Sequence, residues 1–183
     1  MNKIPVKVVW VKDINGKKHS SVMLAMEDII GEIPSTDFAS VQKFNSQYID
    51  LISNCNNMLK SGKIKNKIHP SAYWQVGKNL LTFVETNELH YKFKNYRVAF
   101  QRDLNITDSY VGVIMDFPKF FEEEDVLDSI PMSYYFELIL KARALEGKHI
   151  LKLEKERLKE LSETKKLPDH KTYRKTLKER LEA

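Results

Sequence analysis

The sequence is poor in cysteine, glycine and proline: its 183 residues include one cysteine, six glycines and six prolines. Cys55 alone cannot form an internal disulfide, which excludes a secreted domain held together by disulfides. No stretch approaches the roughly 20 apolar residues of a membrane helix, and no apolar run of a signal peptide follows the first residues. At 42% hydrophobic residues, the chain is long enough to bury its own core. We therefore expect a cytoplasmic globular protein with no membrane contact.

Charge is unevenly distributed along the chain. Residues 1–147 contain 18 Lys and Arg against 18 Asp and Glu, whereas residues 148–183 contain 12 against 7. Inside the neutral part, the window from Lys60 to Arg102 holds nine basic residues and two acidic ones. Segregated positive charge of this kind favours a polyanion as partner, although a solvated surface of lysine and glutamate gives the same pattern.

Turn and helix signals predict a mainly α-helical fold with a small N-terminal β-hairpin. Two β-rich stretches flank Asn15 and Gly16, a step that favours a tight hairpin turn. Apolar residues such as Phe38 and Cys55 then recur at helical spacing as far as Lys60. Three segments are expected: an N-terminal β-hairpin at residues 1–32, a helical domain at 33–146, and a basic C-terminal helical tail at 147–183.

The tail has two amphipathic helices with thin apolar stripes. Leu158 lies on the first stripe, and Tyr173 and Leu177 lie on the second at four-residue spacing. A stripe this thin must be covered by the rest of the chain or by a second copy. We expect a homodimer through the C-terminal helices, with docking on the same chain as the alternative.

Residues 96–118 have the layout of a helix-turn-helix. The pattern predicts a short helix up to Leu104, a tight turn at Asn105, and a second helix that closes at Pro118. Asparagine tolerates the left-handed backbone that such a turn requires, and Thr107 carries an oxygen that can cap the second helix. Apolar residues on both sides of the turn would hold the two helices at a steep angle.

A family resemblance covers about 45 residues around this motif. The segments LNITDSYVGVIMDFP at 104–118 and IPMSYYFELIL at 130–140 resemble the helix-turn-helix core of the ParB/KorB family of plasmid and chromosome partition proteins. With Tyr73 and Trp74 upstream, the order is also similar to the helical N-terminal half of a family of uncharacterised proteins fused to PD-(D/E)xK-type nucleases. The resemblance implies a helical module that reads DNA, as in a transcriptional regulator or a partition factor.

Three positions differ from the partition pattern. Asn105 replaces the turn glycine, Gln101 replaces a small alanine, and Asp108 places a negative charge near the start of the second helix. No arginine-rich nucleotide-binding box precedes the motif, and no nuclease Asp…Glu-x-Lys constellation follows it. The resemblance therefore implies DNA reading without a catalytic part.

Ten residues are predicted to contact double-stranded DNA. The first helix and the end of the second would hold phosphates, and the first half of the second helix would face base edges. The predicted phosphate contacts are Lys94, Arg97, Gln101, Arg102 and Lys119. The predicted base contacts are Thr107, Asp108, Ser109, Tyr110 and Gly112. In a dimer, the two reading helices would be spaced by about one turn of DNA.

Sequence motifs for catalysis or cofactor binding are missing. The five histidines are scattered without partnering cysteines, and there is no glycine-rich phosphate loop and no nucleophile elbow. The acidic cluster from Glu122 to Asp128 lacks the alternating oxygen ligands and the glycine of a calcium loop. We expect no enzymatic activity, no metal and no cofactor.

A second hypothesis is a non-catalytic adaptor, or a subunit of a larger nucleic-acid-processing assembly. Asp103, Asp108 and Asp116 favour it, because carboxylates around the second helix would repel phosphate. The two hypotheses differ in whether these acids point away from the face that carries Arg97 and Arg102. An RNA-binding module is a third option, and the lack of interleaved exposed aromatics on a sheet argues against it.

Overall fold

The fold is mainly helical, with a small N-terminal sheet, as the sequence predicts. The computed structural model describes residues 3–29, 35–64, 66–144 and 148–182. Within these ranges lie seven α-helices: α1 Ser35–Ser61, α2 Pro70–Asn87, α3 Tyr96–Asp103, α4 Asp108–Phe120, α5 Met132–Ala144, α6 Lys148–Glu163 and α7 His170–Glu182. The same ranges contain five strands: β1 Ile4–Lys12, β2 Lys18–Leu24, β3 Lys63–Ile64, β4 Lys67–Ile68 and β5 Tyr91–Lys94.

Contacts divide the chain into two compact units. The first unit comprises Met1–Met58 and Asn79–Gly112, and the second comprises Leu59–Lys78 and Val113–Ala183. The domain boundaries predicted at 32/33 and 146/147 lie outside the described residues.

The first unit contains the predicted hairpin and a third strand that the sequence analysis did not predict. Gly16 has φ +75°, and one carboxylate oxygen of Asp13 accepts backbone N–H bonds from Asn15 and Lys17, each at 2.9 Å. This closes the turn between β1 and β2, which pair antiparallel over seven residue pairs. Strand β5 pairs parallel to β1, so the strand order in the sheet is β2-β1-β5.

Aromatic side chains form the core of the first unit. Phe44 and Tyr48 of α1 are fully buried, and Phe100 of α3 stacks on Tyr48 at 6.1 Å between ring centroids. Cys55 is also fully buried, which confirms it as a core residue. Phe38 was expected on the same apolar face, but its 53% exposure corrects that expectation.

The second unit buries the tail helices against their own chain. Leu158 of α6 and Tyr173 and Leu177 of α7 are at most 1% exposed, and the Tyr173 ring lies 4.7 Å from Tyr134 of α5. Arg180 of α7 donates two hydrogen bonds to the buried carboxylate of Glu154 in α6, at 2.6 and 2.7 Å. These three residues are therefore covered by their own chain, the alternative to the expected interface between two copies, whereas Leu153, which also belongs to the predicted stripe of α6, is 51% exposed.

Pro118 does not end its helix, contrary to the sequence-based prediction. Helix α4 continues to Phe120, although proline lacks the N–H that would bond to the carbonyl of Ile114. A Cβ built on Gly77 of α2 would lie 1.9 Å from that carbonyl oxygen. The absence of a side chain at Gly77 therefore leaves room for this carbonyl, and any side chain there would collide with it.

We predict that Gly77→Ala destabilises the protein by about 2 kcal/mol or more, because backbone atoms of α4 would have to move. Chemical denaturation followed by circular dichroism measures this change in the free energy of unfolding. The control is Gln75→Ala at an exposed position of the same helix, where the change should stay within about 0.5 kcal/mol. Equal stability of the two variants would contradict the close packing of Gly77.

Candidate functional site

The segment predicted as a helix-turn-helix contains two helices, α3 and α4, joined by residues 104–107. Asn105 has φ +53°, the left-handed conformation expected for the turn. The Thr107 hydroxyl accepts a bond from the backbone N–H of Tyr110 at 3.4 Å, as expected for an N-cap. The turn residue and the capping residue are therefore confirmed, and DNA reading by this segment stays a prediction.

The first turn of α4 presents short polar side chains. Thr107 and Ser109 are exposed, with their hydroxyl oxygens 3.2 Å apart, and Tyr110 and Gly112 are half-buried. The Asp108 side chain is 56% exposed and lies beside them. The five residues predicted to read bases thus start α4 together, with a negative charge among them.

The predicted phosphate-binding residues do not form one row of unpaired cations. Lys94 lies on β5 rather than on the first helix, and its ammonium is 2.7 Å from Asp28. Arg97 pairs with the carboxylate of Asp108 at 3.1 Å, and Gln101 is half-buried.

Lys119 belongs to the second unit, where it pairs with Asp116 at 3.0 Å. Asp116 also accepts a bond from Arg143 of α5 at 2.7 Å.

Arg102, a predicted phosphate contact, has several partners inside the first unit. Its guanidinium donates to Asp103 at 2.8 Å and to the hydroxyl of Ser20 at 2.7 Å. The same group lies 4.7 Å from the centroid of the Trp10 ring, an arrangement that favours a cation–π interaction. Its side chain is 24% exposed, and phosphate binding by Arg102 stays a prediction.

The carboxylate of Asp103 is the centre of this network. Only 6% of its side chain is exposed, yet it accepts hydrogen bonds from four side chains. Tyr48 and Ser20 donate to one oxygen at 2.6 Å each, and Arg102 and Trp10 donate to the other at 2.8 and 3.3 Å. Residues from β1, β2, α1 and α3 therefore meet at one buried charge.

Burial and hydrogen bonding act in opposite directions on this charge. Burial by itself raises the pKa of Asp103, but bonds from Arg102, Ser20 and Tyr48 outweigh it, so the pKa lies below its ordinary value of 3.8. Burial, together with the bond to this carboxylate, raises the pKa of Tyr48 well above its usual range. Asp103 is therefore ionised and Tyr48 is neutral across the physiological pH range.

A groove of about 440 Å³ opens beside the network. The five network residues line it together with Lys18, His19, Ile49 and Ile52. Trp10 and Ile49 are about half exposed. Sequence analysis did not find this site, because its members are up to 93 residues apart and no local motif connects them.

Comparisons with protein-family models, with curated proteins and with solved structures found no match for the chain. The site must therefore be interpreted from its own chemistry.

Burial raises the pKa of the Cys55 thiol to about 12, so it is protonated and unsuited to nucleophilic attack. Across the described ranges, no three His, Cys, Asp or Glu side chains are arranged to hold a metal ion. None of the described helices is long and apolar enough to cross a membrane.

We predict that Asp103→Asn lowers the free energy of unfolding by about 2–4 kcal/mol at pH 7, because Arg102 loses its buried partner. The folded-state pKa lies below the unfolded value, so the carboxylate stabilises the fold above pH 3.8 and loses this effect as pH falls through the lowered value. Urea titrations of both proteins at pH 7 and pH 3 measure the difference, which should shrink at pH 3.

The matched control for this variant is Asp50→Asn, at an exposed position of α1. It should change stability by less than about 0.5 kcal/mol at either pH. A loss in Asp103→Asn that is no larger than in this control would show that the network does not stabilise the fold.

Proposed function

We propose that the protein binds double-stranded DNA through the segment α3–turn–α4. The observation that carries this proposal is the exposed first turn of α4, which directly follows a left-handed turn at Asn105 and is capped by Thr107. Modules of this kind place the N-terminal residues of their second helix against base edges in the major groove. Thr107 and Ser109 supply hydroxyls, which can both donate to and accept from base edges.

Arg97 is the phosphate contact that the geometry favours. It lies at the start of α3, and 47% of its side chain is exposed, so a phosphate can reach it. Its pair with Asp108 is also exposed, and such pairs contribute at most about 1 kcal/mol, so a phosphate can compete for the guanidinium. The excess of basic residues between Lys60 and Arg102 adds an electrostatic attraction to DNA phosphates that does not depend on the DNA sequence.

A role as transcriptional regulator or partition factor fits this mode of binding, and each role would use paired half-sites if the protein is a homodimer. The interface predicted for the C-terminal helices would have to use other residues than Leu158, Tyr173 and Leu177, because these are buried within their own unit. We therefore propose that a single chain can bind DNA, without dimerisation through the tail.

A protein-interaction adaptor is the second candidate function, and one specific observation favours it. Asp103 contacts Arg102, and Asp108 contacts Arg97, so these acids do not point away from the cations predicted to hold phosphate. The exposed pair of Arg97 and Asp108 presents charges of both signs, which suits a protein partner better than a polyanion. The variants Arg97→Ala and Asp108→Asn separate the two candidate functions.

We predict that Arg97→Ala weakens binding to all duplexes to a similar degree and reduces the slope of log K against log salt by about one, because one phosphate contact is lost. Fluorescence anisotropy with labelled duplexes of several sequences, at several salt concentrations, measures both quantities. The control is Lys43→Ala, an exposed cation on α1 of the same unit, which should leave the slope nearly unchanged. Equal slopes for both variants would count against phosphate binding by Arg97.

We predict that Asp108→Asn binds duplex DNA about threefold more tightly at low salt, because it removes a negative charge near the phosphates and frees Arg97. The same anisotropy assay at fixed ionic strength measures the change, with Glu88→Gln, an exposed acid outside the motif, as control. If the wild-type chain and this variant both fail to bind duplex, the DNA proposal is wrong and the adaptor becomes the favoured function.

A further inference from the structure

The groove beside Trp10 is a concave site that the proposed DNA contacts do not use. It is lined by residues of β1 and β2, of α1 and of the end of α3. We propose that this groove binds a small organic anion with an apolar body, such as an aliphatic or aromatic carboxylate. The proposal does not depend on DNA binding, since Arg97, Thr107 and Ser109 do not line the groove.

The walls of the groove are suited to an apolar ligand. Ile49 and Ile52 lie on one helix, α1, and the indole of Trp10 approaches from the hairpin. Trp10 is 50% exposed and Ile49 is 46% exposed, so both still offer apolar surface that a ligand can cover. Concave sites with large apolar walls and a few polar groups are typical of ligand pockets, and 440 Å³ lies within their usual range of about 300–1,000 Å³.

The polar groups of the groove favour a negatively charged ligand. Among the described residues that line it, Asp103 is the only acid, and both of its oxygens accept hydrogen bonds from the protein. The Arg102 guanidinium beside it balances its charge. The carboxylate therefore neither recruits a cationic ligand nor leaves an uncompensated negative charge to repel an anionic one.

Lys18 supplies the positive charge at the rim. Its ammonium lies 5.4 Å from the centroid of the Trp10 ring, and no carboxylate of the described residues forms an ion pair with it. His19 follows it on the same strand and also lines the groove. An anionic headgroup at Lys18 would place its apolar tail along Trp10 and the two isoleucines, which satisfies both parts of the ligand at once.

The test uses the full chain and two pairs of probes that differ only in charge. Octanoate and 3-phenylpropanoate are titrated into ¹⁵N-labelled protein, with octanamide and 3-phenylpropanamide as neutral counterparts. Trp10 and Trp74 are the two tryptophans, so the spectrum has two indole N–H signals to follow. Trp74 is buried and its indole bonds to the Phe121 carbonyl at 2.8 Å, so its signal is an internal control.

We expect at least one carboxylate to shift the Trp10 indole signal in a saturable way and to leave the Trp74 signal in place. Its amide should bind about three- to tenfold more weakly, because the charge-assisted contact with Lys18 is lost. Lys18→Ala should weaken carboxylate binding by a similar factor, whereas Lys17→Ala, an exposed neighbour that does not line the groove, should leave it unchanged. Ile49→Asn should weaken binding of carboxylate and amide alike.

Two results would overturn the proposal. The first is the absence of saturable shifts at Trp10 with either carboxylate. The second is equal affinity for the carboxylates and their amides, together with no effect of Lys18→Ala. The groove would then bind apolar ligands regardless of their charge. Thermal unfolding of each variant, followed by circular dichroism, separates loss of binding from loss of fold.

Discussion

The first unit depends on the neutralisation of one buried charge. An ionised carboxylate that is 6% exposed is costly unless every lone pair has a donor, and Asp103 obtains its donors from Trp10, Ser20, Tyr48 and Arg102. These residues come from the hairpin, α1 and α3. The three parts of the chain must therefore keep their relative positions for the carboxylate to keep its hydrogen bonds. Burial of the aromatic core stabilises the unit without a directional requirement, whereas hydrogen bonds to a carboxylate fix direction and distance.

This constraint also divides the basic residues of the first unit into two groups. Arg102 belongs to the network, where the carboxylate of Asp103 balances its charge. Arg97 and Lys94 have acidic partners too, but at positions that water reaches, where a pair is weak and easily exchanged for another anion. A count of lysines and arginines in the sequence therefore overstates the charge that a polyanion would meet. Burial, which the sequence does not give, decides which of these cations remain effective.

Features fixed by neighbouring residues could be predicted from the sequence, and those fixed by distant residues could not. The hairpin turn at Gly16, the left-handed Asn105 and the cap at Thr107 each depend on a few consecutive residues, and all three were predicted. The Asp103 network joins residues up to 93 positions apart, and no local pattern at Trp10 or Asp103 indicates the other. Pro118 was misjudged for a related reason: proline ends many helices, but here the missing hydrogen bond is tolerated next to Gly77, 41 positions earlier in the sequence.

Because Gly77 lies against the Ile114 carbonyl, the residue types tolerated at position 77 depend on the residue at position 118. A residue other than proline at 118 would restore the helical bond and draw the carbonyl oxygen of Ile114 back towards the helix axis. A side chain at 77, in turn, fits only if that oxygen withdraws. Among related sequences, the two positions are therefore expected to covary: loss of proline at 118 would relax the requirement for glycine at 77, and a larger residue at 77 would disfavour proline at 118.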